Sequence, residues 1–305
     1  AAGKEMMNGI IIVDKEKGFT SHDVVAKMRG ILHRKKIGHT GTLDPDAVGV
    51  LPVCVGKATK VCALLTDMEK TYVAQVRLGV TTDTLDMTGN ILSQREVTVT
   101  GEELCRTLKQ FRGEIQQIPP MYSAVKVQGK RLYELARQGK EVPRAPRTVT
   151  IHELQLRETA LDRQEFTIEV RCSKGTYIRT LCQDIGEKLG CGAAMKSLVR
   201  TQVGPFTIAQ AKTLDEIQTL VAEKREEEIL IPVDSIFDNY RRGEVGEEAM
   251  KYLRNGNRIN ASLCTLENPL PDERIRMYGP DGQFYAIYRF DSQENRYYIV
   301  KMFHE

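Results

Sequence analysis

Hydrophobic and polar positions along the chain change period several times, and each change marks an element. Gly9–Lys15 (GIIIVDK) is a short continuous apolar run, the signature of a buried strand. Thr20 and Asp23 then stand at capping-box spacing, and Val24, Val25, Met28, Ile31 and Leu32 recur at helical intervals, so a helix is predicted to about His33. From Tyr72 the period drops to two: Tyr72, Ala74, Val76, Leu78 and Val80 predict a strand with one face on a core. Phe166, Ile168, Val170 and Cys172 alternate in the same way. Ile178, Leu181, Ile185 and Leu189 then fall three and four apart until Gly190, which places Gly175-Thr176 at a strand-to-helix turn. Thr100–Gly113 reads as a capped helix stopped by glycine, and Thr213–Leu230 as a helix whose glutamates form a solvated face.

Strand-rich order with long hairpins predicts an α+β fold, a mixed, mainly antiparallel sheet flanked by helices, over residues 1–240. Past residue 240, alternating aromatic and aliphatic residues flank the turn signals Pro280-Asp281-Gly282 and Asp291–Asn295, predicting a small β-rich domain over 241–305. Two segments do not fit this alternation. Gly38–Lys60 (GHTGTLDPDAVGVLPVCVGKATK) is too broken for a helix and too apolar for a free linker. Residues 121–150 read as an excursion from the sheet, made of a strand, a Gln-Gly turn and a short helix between prolines.

Composition narrows the chemistry. The 305 residues contain no apolar run near 18, so no membrane span is expected, and no signal peptide is read at the start. Seven cysteines without a Cys-x-x-Cys pair predict reduced thiols in a cytoplasmic protein. Five histidines without ligand spacing argue against a zinc site, and neither a phosphate loop nor a dinucleotide turn is present, so no metal and no cofactor are expected. Net charge is only +3, but from Met121 to Arg147 seven basic residues (Lys126, Lys130, Arg131, Arg137, Lys140, Arg144, Arg147) face only Glu134 and Glu141. That concentration suits a polyanion surface as well as it suits a solvated helix face.

Four stretches together resemble one family. GHTGTLDPDAVGVLPVCVGKATK, KTYVAQVRLG, PPMYSAVKVQGKRLYELAR and SKGTYIRTLCQDIG are similar, in order and approximate spacing, to the motifs of the bacterial tRNA pseudouridine synthases of the TruB type, which isomerise uridine 55 in the T loop. The resemblance covers roughly residues 8–205, and the tail is similar to the family's small PUA-like RNA-binding module. It implies the pseudouridine synthase fold, a tRNA T arm as substrate and no cofactor, which agrees with the missing cofactor motifs. A cytoplasmic monomer that needs no protein partner and no membrane is expected.

Residue by residue, the resemblance makes Asp44, in GTLDP, the catalytic carboxylate, and Pro45 biases its backbone away from helical angles. By itself an Asp-Pro pair in a loop reads as a turn cap. Arg179 matches the arginine partner of that aspartate. Tyr72, otherwise an ordinary core aromatic, matches the tyrosine that stacks on the flipped base, with a further part in proton transfer. Tyr177 and Leu198 match positions lining the uracil pocket, and His39 matches a histidine that packs into the RNA loop rather than an acid–base catalyst. Gly38, Gly41 and Gly49 are expected to let the backbone bend towards RNA. Lys126, Lys130, Arg131 and Arg137, in the basic excursion, are expected to grip phosphates. A non-catalytic RNA-binding protein or tRNA folding chaperone, opposed by the intact Asp44, Tyr72 and Arg179, and a guide-RNA-dependent relative, opposed by the short N-terminus, the basic insertion and the small tail, are the alternatives.

Overall fold

The structure, a computed structural model, describes residues 7–304; residues 1–6, where the absence of a signal peptide was read, and residue 305 lie outside the described residues. The chain runs through β1 (Gly9–Lys15), α1 (Ser21–Leu32), β2 (Ile37–His39), β3 (Val48–Val55), α2 (Cys62–Asp67) and β4 (Lys70–Leu78). A small hairpin, β5 (Val80–Thr82) and β6 (Ile91–Gln94), precedes α3 (Gly101–Lys109) and β7 (Gly113–Gln117). The basic excursion holds β8 (Lys126–Val127), β9 (Lys130–Arg131) and α4 (Leu132–Arg137). β10 (Arg147–Ala160), β11 (Glu165–Cys172), α5 (Ile178–Lys188), β12 (Ala193–Val203), β13 (Phe206–Thr207) and α6 (Leu214–Ala222) follow. The C-terminal part contains β14 (Arg241–Glu244), α7 (Met250–Arg254), β15 (Ile259–Asn260), β16 (Arg274–Tyr278), β17 (Phe284–Asp291) and β18 (Arg296–Met302).

Two sheets carry most of the strands, while β5–β6 and β8–β9 form separate two-stranded pairs. The large one is ordered β1-β3-β12-β4-β11-β10-β7, with β2 added to β3 and β13 to β12; the small one is ordered β14-β16-β17-β18-β15. The large sheet is antiparallel except where β12 meets β3, aligning Val199 with Val48 and Arg200 with Gly49. Ala74 and Val76 of β4, Ile168 and Val170 of β11, and Leu181 and Ile185 of α5 form one core under this sheet. The expected period-two face of β4 and the 3.6-residue face of α5 meet there. The small sheet has its own core of Ile275, Met277, Tyr288 and Tyr297. Phe284, Ile287 and Phe303 also pack with Phe237 and Tyr240, joining it to the large sheet's flank.

Local chemistry sets most boundaries. Thr20 and Asp23 form the expected reciprocal capping box on α1, and His33, in the left-handed conformation, ends the helix. Three boundaries differ from the sequence reading. Strand β4 stops at Leu78 because Gly79, at φ +80, turns the chain into the hairpin, so Val80 begins β5 instead of extending β4. The helix after Thr100 ends at Lys109, where the N–H groups of Gln110 and Phe111 tighten onto Thr107 and Leu108; Gly113 opens β7 and is not the stop. The helix after Thr213 ends at Ala222: Lys224 is left-handed and Arg225 reaches both Glu223 and Glu228, so the glutamate run folds into a separate turn.

One glycine marks the tightest approach in the sheet. Gly49 lies at φ +105, and a Cβ there would stand 2.2 Å from the Arg200 carbonyl oxygen. Gly18 is also left-handed, at φ +92, but nothing lies within 4 Å of where its Cβ would be. Gly18→Ala is therefore expected to cost about 1 kcal/mol and Gly49→Ala more than about 3 kcal/mol. Urea unfolding midpoints check this, and similar shifts for the two variants would refute the close-approach account.

Candidate active site

The loop from Thr40 to Ala47 carries Asp44, and its backbone is tied down on both sides of that residue. The Ser21 hydroxyl accepts the Leu43 N–H at 3.0 Å and donates to the Leu43 carbonyl at 3.3 Å. The Pro45 carbonyl accepts both the Gly18 N–H at 2.8 Å and the Lys15 ammonium at 3.2 Å. The Ala47 N–H returns to the Asp44 carbonyl at 3.0 Å. Asp44 therefore sits on a fixed turn with its side chain mostly in the open, 59% exposed.

Arg179 meets it from the first turn of α5. Its guanidinium is 8% exposed and stands 3.3 Å from the Asp44 carboxylate. It also donates to the Thr84 carbonyl at 3.2 Å and to the Tyr122 carbonyl at 2.9 Å. Three segments distant in sequence thus hold one guanidinium, and a charge-assisted contact fixes the carboxylate relative to them. Tyr177 caps the same helix. The Gln117 side-chain amide grips its backbone twice, accepting the Tyr177 N–H at 2.9 Å and donating to its carbonyl at 3.1 Å.

Tyr72 and Leu198 share the core-facing side of the neighbouring strands, since Leu198 opposes Ala74 and Arg200 opposes Tyr72. Both are half-buried against the main core. Burial pushes the Tyr72 phenol above its ordinary value, and the attraction of Arg200 only partly offsets this. Arg200 is 1% exposed and donates to the Val50 carbonyl at 2.8 Å and the Gly41 carbonyl at 2.8 Å. Gly41, at φ +62, and Gly49 therefore have an internal reason to be glycine: both lie against Arg200. Gly38 has no left-handed backbone and lies beside the Cys62 sulfur.

His39 is half-buried on β2 and meets the His22 ring edge-on, with centroids 5.3 Å apart. Its Nδ1 is buried without a partner, and burial lowers the imidazole pKa, with His22 and Arg200 adding to the effect. Lys126, Lys130, Arg131 and Arg137 are all exposed on the excursion, and none of them is paired with Asp44 or Arg179 among the described residues. Arg131 and Arg137 flank the Tyr133 ring at 5.8 Å and 5.3 Å. Among the described residues no cluster of His, Cys, Asp and Glu could hold a metal ion.

Sequence reasoning missed Lys15, Lys70, Gln117 and Arg200. Their common trait is a polar side chain that is buried in the structure, and no local pattern announces burial of a lysine, glutamine or arginine. A strand assignment with its register is the only signal that could have found Arg200.

Comparison with known proteins places this geometry among relatives. The chain matches the TruB family pseudouridylate synthase (N terminal domain) over residues 29–178 and the tRNA pseudouridylate synthase B C-terminal domain over residues 179–238. It is 53% identical to the tRNA pseudouridine synthase B of Lachnoclostridium phytofermentans, covering 97% of this chain and 100% of that one. It is 48% identical to that of Pseudomonas fluorescens, covering 92% of this chain and 91% of that one. Among solved structures it is similar to a Cbf5-Nop10-Gar1 complex, with a TM-score of 0.72, 27% identity and coverage of 97% of this chain and 84% of that one. An H/ACA RNP bound to a substrate RNA containing 2'-deoxyuridine gives a TM-score of 0.71 at 25% identity, covering 97% of this chain and 85% of that one.

Lys70 makes the buried charge of the site measurable. Burial, with Arg200 nearby, pushes its ammonium down to about 8 from the ordinary 10.5, while its Nζ donates to the Met68 carbonyl at 2.6 Å. Between those values the unfolded chain holds the proton that the folded chain has released, so Lys70 makes stability rise with pH across that window. The stability of wild type relative to Lys70→Met is expected to increase by about 3 kcal/mol from pH 8 to pH 10.5. Paired urea titrations across that range check it, and a constant difference would refute a depressed Lys70.

Proposed function

The chain belongs to the TruB family of pseudouridylate synthases, enzymes that isomerise uridine to pseudouridine in tRNA, and from that premise we propose that its target is uridine 55 of the T loop and that Asp44 is the reacting group. The observation that carries the proposal is the buried Arg179 guanidinium, fixed by the Thr84 and Tyr122 carbonyls and paired at 3.3 Å with a largely exposed carboxylate. A carboxylate so held and so accessible suits attack or charge stabilisation beside the C1' of a nucleotide extruded from its stack.

The reaction balances without an outside reagent. The C1'–N1 bond breaks with its electron pair on N1, the uracil turns over, and C5 joins C1'. The proton on C5 leaves and N1 gains one. Tyr72 is the stacking platform for the base, and Leu198 and Tyr177 line the pocket beside it. The Tyr72 phenol, raised by burial above its ordinary value, stays neutral as it stacks on the base, and the resemblance gives it a further part in proton transfer. His39, whose pKa is lowered by burial, presents a neutral, flat ring to the rearranged RNA loop. Arg200, Lys15 and Gln117 position these groups through backbone carbonyls and amides.

Lys126, Lys130, Arg131 and Arg137 supply phosphate contacts to the T arm, with residues 121–150 acting as an RNA-gripping insertion on a catalytic domain of residues 1–240. Residues 241–305 act as a PUA-like RNA-binding domain near the acceptor stem, a reading supported by their separate sheet and core. The protein works on tRNA as a monomer without a protein partner or cofactor. Seven free cysteines suit the cytoplasm, and no helix among the described residues is long and apolar enough to cross a membrane.

On a T-arm stem-loop tritiated at uridine C5, Asp44→Asn is expected to bind with wild-type affinity and to release tritium at least about a thousandfold more slowly. Release at the normal rate would eliminate Asp44 as the reacting group, and no release by wild type would favour a purely RNA-binding protein. Lys130→Ala and Arg137→Ala are each expected to reduce the salt slope of RNA binding by about 0.7 to 1, without changing single-turnover rates at saturating RNA. Unchanged slopes in filter-binding titrations would remove the excursion from the interface.

A further inference from the structure

Gly38 is the motif glycine that the packing around Arg200 leaves without a reason. In β2 it lies opposite Cys54 of β3, with His39 opposite Val53. Side chains at directly paired positions of an antiparallel ladder share a face, with Cβ atoms about 4.5–5.5 Å apart. A Cβ on Gly38 would stand 3.3 Å from the Cys62 sulfur. The space that a side chain at position 38 would need is therefore filled by one thiol and flanked by another. Cys54 and Cys62 meet across this missing side chain, and their thiols are hydrogen-bonded. Both belong to the apolar cluster that also holds Ile10, Val61 and Leu65.

This pair differs from the other cysteines. Cys54 is 0% exposed, whereas Cys62, the first residue of α2, is only half-buried. The hydrogen bond from Cys54 lowers the Cys62 thiol below its ordinary value, and burial only partly opposes this. The same bond, with burial adding to it, pushes the Cys54 thiol far up. Burial pushes Cys172 and Cys182 up to about 12 and raises Cys191 and Cys264 as well. Cys62 thus combines partial access with thiolate character, the two properties of a sulfur that reacts with oxidants, and a second sulfur stands beside it to resolve the product.

We propose that Cys54 and Cys62 are a reversible oxidation site, which takes a small peroxide as its oxidant and closes to a disulfide joining β3 to α2. The Cys62 thiolate attacks one peroxide oxygen, so that an S–O bond forms, the O–O bond breaks and hydroxide leaves to become water. The Cys54 sulfur then attacks the Cys62 sulfenic acid. The S–S bond forms, the S–O bond breaks, and the departing hydroxide takes the Cys54 proton as a second water. Two thiols are oxidised by one electron each and the peroxide is reduced by two. Transient closure of this kind is the form in which disulfides occur in reducing compartments. Closure replaces a contact by a covalent bond and draws the Cys62 sulfur towards β3. Strand β2, packed on that sulfur through Gly38, adjusts with it, and His39 is its next residue. Closure therefore weakens T-arm binding, a consequence that rests on the reading that His39 faces the RNA loop.

The test treats the full reduced chain with hydrogen peroxide and digests it with trypsin without reductant. Cleavage after Lys36, Lys57, Lys60 and Lys70 separates residues 37–57 from residues 61–70, each of which holds one of the two cysteines. The expected product is these two peptides joined, and dithiothreitol is expected to part them. Cys105→Ser, which removes an exposed thiol on α3, is expected to leave the cross-link, and Cys62→Ser to abolish it. Oxidation confined to Cys105 would overturn the site, as would oxidation of Cys62 to a sulfinic acid while Cys54 stays a free thiol. Should Cys62→Ser fail to fold, the peptide map of wild type decides the matter alone. Oxidised wild type is expected to bind the T-arm stem-loop about 5-fold or more weakly than the reduced protein, with recovery in dithiothreitol. Equal affinities of a fully cross-linked and a reduced sample would overturn the coupling to β2. Failure of the reduced protein to bind the stem-loop at all would instead refute the RNA reading on which that coupling rests.

Discussion

The site depends on a buried cation that has no carboxylate partner among the described residues. Arg200 is buried where β12 meets β3 in parallel, and among the described residues no acidic side chain pairs with it. Its charge is met instead by the carbonyls of Val50 and Gly41 and by attraction to Tyr72. An unpaired guanidinium inside a protein is costly, and removing any of those acceptors leaves it more so. The consequence is geometric. The Gly41 carbonyl lies three residues before Asp44, Val50 six residues after it, and Tyr72 directly across the sheet from Arg200. One side chain thereby ties Tyr72, the strand β3 and the loop carrying Asp44 into a single unit.

Around that unit the chain spends polar groups on its own backbone. Lys15 and Gly18 hold the Pro45 carbonyl, Ser21 holds Leu43, and Gln117 holds Tyr177. None of these groups needs to touch a substrate to matter. Each fixes the backbone beside or at a candidate site residue, which is how a site gains preorganisation from residues outside it. The same logic explains why two of the three motif glycines are required internally: the backbone at Gly41 and Gly49 must approach Arg200 closely.

Much of the fold was legible from short-range chemistry. Thr20 with Asp23, Thr100 with Glu103 and Thr213 with Glu216 start helices through reciprocal caps whose partners are three residues apart. Helix ends were less legible. After Lys109 and Ala222 the chain leaves the helix for reasons of packing and of left-handed backbone at Lys224, and no nearby glycine or proline marks either point. Asp44, Tyr72 and Arg179 stood out as candidates only because their motifs resemble those of a family; by themselves Asp44 reads as a turn cap and Tyr72 as a core aromatic.

The sequence by itself determined the periods, the caps, the broken loop around Asp44 and the charge of the excursion, because each depends on residues within a few positions of one another. Tertiary structure alone decided that Arg200 is buried, that Arg179 reaches Asp44 at 3.3 Å, and that Gln117 clamps Tyr177. Those contacts join residues 60 to 159 positions apart. Strand register selects which side chains share a face, and it is set by pairing the whole sheet at once. An arginine within VRTQV carries no local sign of burial until β3 closes against it.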